Sequence, residues 1–206
     1  MDGGRYAVAR RYMVAELARR GLLKESALKD AFLTIPRHEF VATAFAAQAY
    51  LDDALPIGGG QTISKPSIVA QMLEALDPVG QRVLELGTGS GYVTALLAQV
   101  AEDLWSIEVQ RSLSLQARNK VYALGFAGVS FRTGDGGLGW PEHAPFDRIL
   151  LTAEATELPQ TLIGQLELGG IMVLPMQGRL YRLMRTLAGH DLDDLGPARF
   201  VPFVGG

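Results

Sequence analysis

A glycine-rich turn is the feature of this sequence best suited to binding a small molecule. Three glycines alternate at Gly87, Gly89 and Gly91, directly after an apolar run at residues 83–86 and before a helical stretch. Glycines at this spacing allow unusual backbone angles and let the main chain approach a ligand, because no Cβ intervenes. In open α/β sheets, ligands bind beyond the carboxyl ends of the strands. The turn therefore predicts a small-molecule site at a strand end.

The glycine pattern fits a nucleoside better than a dinucleotide. A dinucleotide fingerprint requires Gly or Ala at its last position, which is Tyr92 in one register and Thr94 in the other. No Lys-Ser or Lys-Thr pair follows the glycines, so a phosphate-binding P-loop is excluded as well. A nicotinamide-dependent oxidoreductase remains only a weak alternative.

Acidic residues accompany three of the predicted strands. Glu108 ends the next strand, where a carboxylate can accept hydrogen bonds from both ribose hydroxyls. Asp135 and Gly136 follow a third strand, and Asp135 is a candidate partner for the exocyclic amine of adenine, with an ordinary turn as the alternative. Glu85 lies inside the glycine segment and is expected to contact the amino end of the ligand or the amides of the turn, because a buried carboxylate is costly without partners. Structural support of the turn is the alternative for Glu85.

An alternation of strands and helices has to position these residues. This alternation predicts a doubly wound, mostly parallel sheet in an α/β fold, with helices on both faces. The β-rich runs lie at residues 82–86, 104–109, 129–133, 147–152 and 171–174. Residues 180–187 and 199–204 resemble closing strands with no helix between them, which predicts an antiparallel C-terminal edge.

The N-terminal part is predicted to be helical. Apolar residues at helical spacing predict a first helix ending near Gly21, a second over residues 25–34 and a third over residues 66–76, which follows a glycine-rich loop at residues 56–60. We expect residues 1–206 to form a single domain. Residues 1–78 would supply the helices and a substrate or lid segment, and residues 79–206 would form the ligand-binding core and the closing strands.

Composition narrows the possible functions. The absence of cysteine excludes disulfides, thiolate catalysis and cysteine-ligated zinc, and it suits a reducing cytoplasm. The spacing of His38, His143 and His190 suggests no metal site. A net charge of −3 offers no basic field for nucleic acid or membranes. The N-terminal residues lack the layout of a secretory signal, and no apolar run approaches the ~20 residues that span a bilayer. We expect a soluble, cytoplasmic monomer without a metal.

Several runs outside the glycine turn resemble the protein-L-isoaspartate O-methyltransferase family, and the resemblance covers nearly the whole chain. The most specific runs are PRHEFV at residues 36–41, AY at 49–50 with LPIG at 55–58, and GQTIS at 60–64; a further run lies at residues 145–153. The resemblance implies the Rossmann-like fold of class I methyltransferases. It also implies S-adenosylmethionine as the methyl donor, S-adenosylhomocysteine as its product, and the free carboxylate of L-isoaspartyl residues in damaged proteins or peptides as the acceptor.

The resemblance also implies roles for particular residues. Ser64 occupies the position of the family's active-site serine, and the substrate-binding residues would be Gln61, Thr62, Ile63 and Ser64 itself. The alternative for Ser64 is a purely structural role as the N-cap of the helix that begins near Pro66. The residues expected to bind the donor are Glu85, Gly87, Thr88, Gly89, Gly91, Glu108, Asp135, Gly136 and Thr152.

The implied reaction requires little besides positioning. A carboxylate with a reference pKa of ~3.9 is ionised at neutral pH, so its attack on an activated methyl group needs no general base. The attack of an anion on a sulfonium neutralises both charges, so a dry pocket that aligns the two atoms should speed the step. Ser64 and the backbone at Gln61 and Thr62 can donate hydrogen bonds to the acceptor, and the glycines at 58–60 could let this segment close as a lid.

Three features depart from the family pattern. Glu154 stands where small apolar residues are usual, Lys65 replaces a neutral residue, and Met176-Gln177 is expected to lengthen the turn after Pro175. A carboxylate facing the pocket would repel a carboxylate substrate, unless Lys65 pairs with Glu154 at ~4 Å. Two alternatives therefore stay open. The chain could be a methyltransferase of the same fold with a different carboxylate acceptor, or a noncatalytic protein that binds the donor.

Overall fold

The computed structural model describes residues 3–203. Its helices are α1 Gly3–Arg19, α2 Ser26–Thr34, α3 Pro66–Leu76, α4 Tyr92–Val100, α5 Arg111–Ala123 and α6 Gln160–Gly164. Its strands are β1 Leu55–Gly58, β2 Gln61–Ile63, β3 Arg82–Leu86, β4 Asp103–Glu108, β5 Ser130–Thr133, β6 Phe146–Leu151, β7 Leu166–Met176, β8 Arg179–Thr186 and β9 Gly189–Pro197. No helix in this part of the chain has the length and apolar character needed to cross a bilayer.

The main sheet has a point at which its strand order reverses. Within residues 3–203 it contains seven strands in the order β5-β4-β3-β6-β7-β8-β9. The pairs from β5 to β7 are parallel, whereas β8 and β9 are added antiparallel. From β3 the chain first builds outward through β4 and β5, and then returns to place β6 on the other side of β3. Such a switch point opens a crevice at the carboxyl ends of the strands. The predicted α/β sheet with an antiparallel edge is confirmed.

Two apolar cores cover the opposite faces of this sheet. Val83 and Leu150 belong to the core beneath α1 to α4, whereas Leu84 and Ile149 belong to the core beneath α6. Successive side chains of a strand point to opposite faces, so a strand that is buried on both sides must be apolar at consecutive positions. This requirement explains the consecutive apolar residues Val83 and Leu84 of β3 and 149–151 of β6.

The last predicted strand is wrong. Residues 199–203 form no regular strand, and the closing strand is β9 at Gly189–Pro197. The sequence of β9 is rich in exposed aspartates and lacks apolar alternation because it is the outer edge of the sheet, where charge discourages pairing with other chains. Residues 200–203 are apolar for another reason, since Val201, Pro202 and Phe203 line a cavity. Val204 lies outside the described residues.

The N-terminal helices agree with the expectations, whereas the glycine-rich loop does not. Gly21 follows α1 with a φ of +71°, as a C-terminal capping glycine does. The loop expected at residues 56–60 is instead largely part of a hairpin of β1 and β2. Gly59 and Gly60 form its turn with φ values of +60° and +74°. Two positive φ angles suit the twist of a tight hairpin.

Gly91 should be more sensitive to substitution than a glycine in an open loop. A Cβ at Gly91 would lie 3.0–3.3 Å from Ala117 of α5, and the φ of Gly91 is +88°. Left-handed backbone costs an alanine about 1–2 kcal/mol, and overpacking adds about 1–3 kcal/mol. We expect Gly91→Ala to lower the free energy of unfolding by roughly the sum of these two terms, as measured by denaturant titration.

Gly125→Ala provides the matched control, because Gly125 has a φ of +95° but no neighbour within 4 Å of the added Cβ. It should show only the backbone cost. Equal destabilisation by both variants would contradict close packing of α5 against the glycine turn.

Candidate active site

The glycine turn after β3 is fixed to the end of β6. The hydroxyl of Thr152 donates to the carbonyl oxygens of Gly87 at 2.5 Å and Leu86 at 3.1 Å. A Cβ at Gly87 would collide with the same hydroxyl. Gly89 has a φ of +55° and lies beneath Ile57 of the β1–β2 hairpin. Glycine is therefore required here both by backbone angle and by close neighbours.

Glu108 connects the end of β4 to this turn. Its Oε2 accepts a hydrogen bond from the amide of Gly89 at 2.9 Å, and its Oε1 accepts one from the amide of Gln110 at 2.9 Å. The residue is only 6% exposed, and it still lines the cavity described next. A carboxylate oxygen has two lone pairs, so each oxygen retains one for a further donor. Glu108 can therefore accept both hydroxyls of a ribose, as the donor would require.

A cavity above the strand ends brings most of the predicted site residues together. Its walls come from β2 and the residue after it, the glycine turn, the ends of β4 and β6, and the C-terminal segment. The predicted site residues that line it are Gln61, Thr62, Ile63, Ser64, Gly87, Thr88, Gly89, Glu108, Gly136 and Thr152. The remaining lining residues include Val201, Pro202 and Phe203. The predictions missed this last group because they interpreted the apolar C-terminal run as a strand.

Phe203 closes the cavity on the side of Gly136. A Cβ at Gly136 would lie 3.2 Å from the ring of Phe203, so a larger residue at this position would require the ring to shift. The backbone of Glu154 pairs with the amide of Phe203 and the carbonyl of Val201, which holds the C-terminal segment against the end of β6. The cavity is thus bounded by residues far apart in sequence.

Three predicted donor-binding residues lie outside the cavity wall. Gly91 lies behind the turn and packs against α5. Asp135 is exposed and accepts a hydrogen bond from the amide of Gly137 at 2.7 Å, which caps a 3₁₀ turn at Gly136–Leu138. Glu85 is fully buried. Gly136, which directly follows Asp135, does line the cavity.

Glu85 lies beneath the glycine turn in a network of hydroxyl groups. Its Oε2 accepts hydrogen bonds from Thr94 at 2.6 Å and Ser106 at 2.7 Å, while its Oε1 has no partner among residues 3–203. The hydroxyl of Ser106 also lies 2.6 Å from that of Thr88. Burial raises the pKa of Glu85 to about 7, although the two hydroxyls oppose this shift. Glu85 therefore contacts the residues that carry the turn and not the cavity itself.

Ser64 has a hydroxyl that is available for a ligand. The N-cap of α3 is Lys65, which makes no capping bond, so the alternative of Ser64 as a simple N-cap is wrong. The cap is supplied by Asp52, whose Oδ1 accepts the amide of Ser67 at 2.8 Å. Within residues 3–203 the Oγ of Ser64 has no hydrogen-bond partner. Ser64 nevertheless lines the cavity.

Arg37 fixes the backbone at Ser64. Its fully buried guanidinium donates to the carbonyls of Ser64 at 2.8 Å and Ala49 at 2.7 Å. The guanidinium also lies 5.0 Å from the centre of the Tyr92 ring. Burial lowers the pKa of Arg37 to about 10, so it remains charged at neutral pH. The run at residues 36–41 resembles the family, but nothing in its sequence indicates that Arg37 positions the backbone at Ser64.

Glu154 does not pair with Lys65. Its Oε1 accepts the amide of Gly178 at 2.6 Å, and the ion pairs among residues 3–203 do not include Lys65. Met176 belongs to β7 and pairs with Arg179, so Gln177 and Gly178 form a two-residue turn between β7 and β8. Gln177 has a φ of +52°. The carboxylate of Glu154 therefore stabilises the turn between β7 and β8.

Two of the three histidines, His38 and His143, lie in aromatic surroundings. His38 stacks on Tyr6, and its Nδ1 lies 2.8 Å from the hydroxyl of Tyr50. His143 stacks on Trp105. In the part of the chain that the structure describes, His, Asp and Glu side chains form no group of three that could hold a metal ion.

Comparison with known proteins identifies the family. The model of protein-L-isoaspartate(D-aspartate) O-methyltransferase matches residues 9–206. This chain belongs to the protein-L-isoaspartate O-methyltransferase family. A family member from Dictyoglomus turgidum is 44% identical over 99% of this chain and 94% of its own length. One from Syntrophus aciditrophicus is 47% identical over 95% of this chain and 93% of its own length. Both are named protein-L-isoaspartate O-methyltransferase.

Solved structures agree with this family assignment. A protein-L-isoaspartate O-methyltransferase structure superposes with a TM-score of 0.86 at 30% identity, covering 96% of this chain and 66% of that chain. A second structure, from Plasmodium falciparum, was solved in complex with S-adenosyl-L-homocysteine. It gives a TM-score of 0.84 at 22% identity and covers 96% of this chain and 99% of that chain, which shows a shared fold. The fold of class I methyltransferases expected from the family resemblance is confirmed.

The buried carboxyl of Glu85 should make stability depend on pH. Its pKa is raised from an ordinary 4.5 to about 7, so the folded protein holds this proton more tightly than the unfolded chain. The associated stability is complete below pH 4.5 and is lost as the pH rises through 7. We expect Glu85→Gln to remove this loss, which corresponds to about 3 kcal/mol at full ionisation. Denaturant titrations of both proteins from pH 4.5 to 8.5 measure the difference.

Glu157→Gln is the control, because Glu157 is exposed. It should leave the pH profile unchanged. Parallel profiles for the wild type and Glu85→Gln would contradict the burial of a titrating carboxyl group beneath the turn.

Proposed function

We propose that this chain transfers a methyl group from S-adenosylmethionine to the free carboxylate of L-isoaspartyl residues in proteins and peptides. The main support for this proposal is the hydroxyl of Ser64, which has no hydrogen-bond partner among residues 3–203 and lies in the same cavity wall as Glu108 and the glycine turn. One part of the cavity thus offers acceptors for a ribose, and another offers a donor for a carboxylate. Relatives at 42–48% identity bear the name of this activity.

The donor is proposed to bind along the strand ends. Glu108 would accept the ribose hydroxyls, and Gly87, Thr88 and Gly89 would let the backbone approach the amino-acid part of the donor. Gly136 and Thr152 would border the adenosine. Glu85, Gly91 and Asp135 would act through the shape of the turn and its neighbours.

The acceptor is proposed to bind between the hairpin and α3. The Oγ of Ser64 would donate to the acceptor carboxylate, and Gln61, Thr62 and Ile63 would contribute mainly backbone groups. The side chain of Ile63 is buried and anchors the segment. The hairpin tip contacts the donor side, since Gln110 donates to the carbonyl of Gly59 at 3.1 Å. This contact would be made and broken if the hairpin acts as a lid.

The reaction needs no proton transfer. The donor supplies an activated methyl group on a sulfonium. A carboxylate oxygen of the substrate forms a bond to the methyl carbon while the bond between carbon and sulfur breaks, and the electron pair of that bond stays on sulfur. The products are a neutral methyl ester and a neutral thioether. The protein would align the reacting atoms, which lowers the entropic cost of the step. It would also exclude water, which favours a reaction in which two charges are neutralised.

The wider setting remains a proposal. We propose that residues 1–78 and 79–206 act as one domain, because Ser64 comes from the first part and Glu108 from the second. We further propose a cytoplasmic monomer that acts on protein substrates without recognising nucleic acid or membranes. The net charge of −3 and the absence of cysteine support this setting.

The alternative of a different carboxylate acceptor rested on Glu154 and Lys65, and mainly on Glu154. Because the Oε1 of Glu154 accepts the amide of Gly178, its charge is held at the β7–β8 turn. The main argument for altered selectivity is thereby weakened. A noncatalytic role would require that the donor bind without ester formation.

Paired peptides test the proposed activity. We expect base-labile incorporation of labelled methyl groups into a peptide with an L-isoaspartyl linkage, and none into the same peptide with a normal aspartyl linkage. Ser64→Ala should lower kcat/KM about five- to tenfold, because a hydrogen bond to a charged group contributes about 1.5–3 kcal/mol and water replaces part of it. Its binding of S-adenosylhomocysteine should stay close to that of the wild type.

Equal labelling of both peptides would refute the isoaspartyl assignment. Binding of S-adenosylhomocysteine with no labelling of either peptide would instead favour the noncatalytic alternative.

A further inference from the structure

A second and larger cavity adjoins the candidate active site. Its volume is about 640 Å³. It shares Thr62, Ser64, Thr152 and Val201 with the cavity above the strand ends. Its other walls come from the start of α3, the β7–β8 turn and residues 197–200. The volume lies in the range of pockets that bind ligands of a few hundred daltons. A short stretch of peptide beside the reacting residue would fit such a space.

The charged side chains that line this second cavity are both cationic. They are Lys65 and Arg199, and both are exposed. Neither side chain makes a hydrogen bond or an ion pair with any residue in the described range 3–203. The amino group and the guanidinium are therefore available to a ligand.

The nearby acidic side chains are engaged elsewhere. Gly178 lines the cavity, but its amide holds the carboxylate of Glu154. Asp52 accepts the amide of Ser67 and pairs with Arg20 at 3.0 Å, so the pKa of Asp52 lies below its usual range despite partial burial. Asp53 precedes the lining residue Ala54 but does not itself line the cavity. The charged side chains in the wall of this cavity itself are therefore the two cations.

We propose that the second cavity binds the peptide segment next to the isoaspartyl residue, and that Lys65 makes it prefer an acidic neighbour. This inference rests on the proposed function. Lys65 directly follows Ser64, so an acceptor carboxylate at Ser64 places the adjacent peptide residues within reach of the Lys65 amino group. Arg199 lines the same cavity and adds to the positive field.

The expected preference is modest. An exposed ion pair changes affinity by about two- to fivefold. Salt screens charges over about 8–10 Å at physiological ionic strength, so the preference should shrink as salt is added. A purely structural role of Lys65 in α3 would not produce this salt dependence.

Binding of matched peptides tests the inference without relying on turnover. Three fluorescent isoaspartyl peptides would differ only beside the isoaspartyl residue: one with Gln on both sides, one with Glu on the N-terminal side and one with Glu on the C-terminal side. Their dissociation constants would be measured by anisotropy with the full chain saturated with S-adenosylhomocysteine. We expect at least one Glu peptide to bind about two- to fivefold more tightly than the Gln peptide at low salt.

Variants assign the preference to Lys65. The ratio to compare is the dissociation constant of the Gln peptide divided by that of the preferred Glu peptide. Lys65→Gln should bring this ratio close to one. Lys65→Arg should retain the ratio and thereby show that the fold tolerates substitution here. Lys24→Gln removes the same charge from an exposed position near Glu74, towards the other end of α3, and should retain the ratio.

Two results would overturn the proposal. One is a ratio near one in the wild type. The other is a ratio that Lys65→Gln leaves unchanged, including the case in which it weakens all three peptides equally, which would place Lys65 at the reacting carboxylate. Failure of the proposed function has a different signature, since peptides would then bind with or without preference but would not be methylated.

Discussion

The hydrogen bond between the Glu108 carboxylate and the Gly89 amide is the interaction on which the candidate site depends. It connects the carboxyl ends of β3 and β4, and it can form only because the glycine turn brings a backbone amide to a neighbouring strand. The same carboxylate keeps free lone pairs towards the cavity. One residue thus sets the shape of the turn and offers the acceptors that a ribose needs. The topology of the sheet places these groups at its switch point.

Buried polar contacts outside the cavity hold this arrangement in place. Beneath the turn, Glu85 binds the hydroxyls of Thr94 and Ser106. On the acceptor side, Arg37 binds the carbonyl of Ser64. Buried polar groups are costly unless they have partners, so such networks permit few alternative arrangements. The wall of the cavity and the layer behind it are therefore parts of one structure.

The sequence predicted the sheet and the strand-end residues well, because both follow from local rules. Continuous apolar runs indicate strands buried on both faces, and alternating glycines indicate a turn that must approach a ligand. The sequence failed where a residue's surroundings come from distant parts of the chain. The acidic β9 lacks the apolar alternation of a half-buried strand, and residues 200–203 are apolar because they cover a cavity. The sequence left open whether Glu154 faces the substrate, because its partner is an amide 24 residues later.

Donor affinity measured by titration calorimetry tests the central interaction most directly. The account predicts that the wild type binds S-adenosylhomocysteine and that Glu108→Gln weakens this binding about ten- to hundredfold, since hydrogen bonds to charged groups contribute about 1.5–3 kcal/mol. Glu102→Gln, at an exposed position before β4, should bind like the wild type. Absence of binding by the wild type, or equal affinity of wild type and Glu108→Gln, would contradict the account.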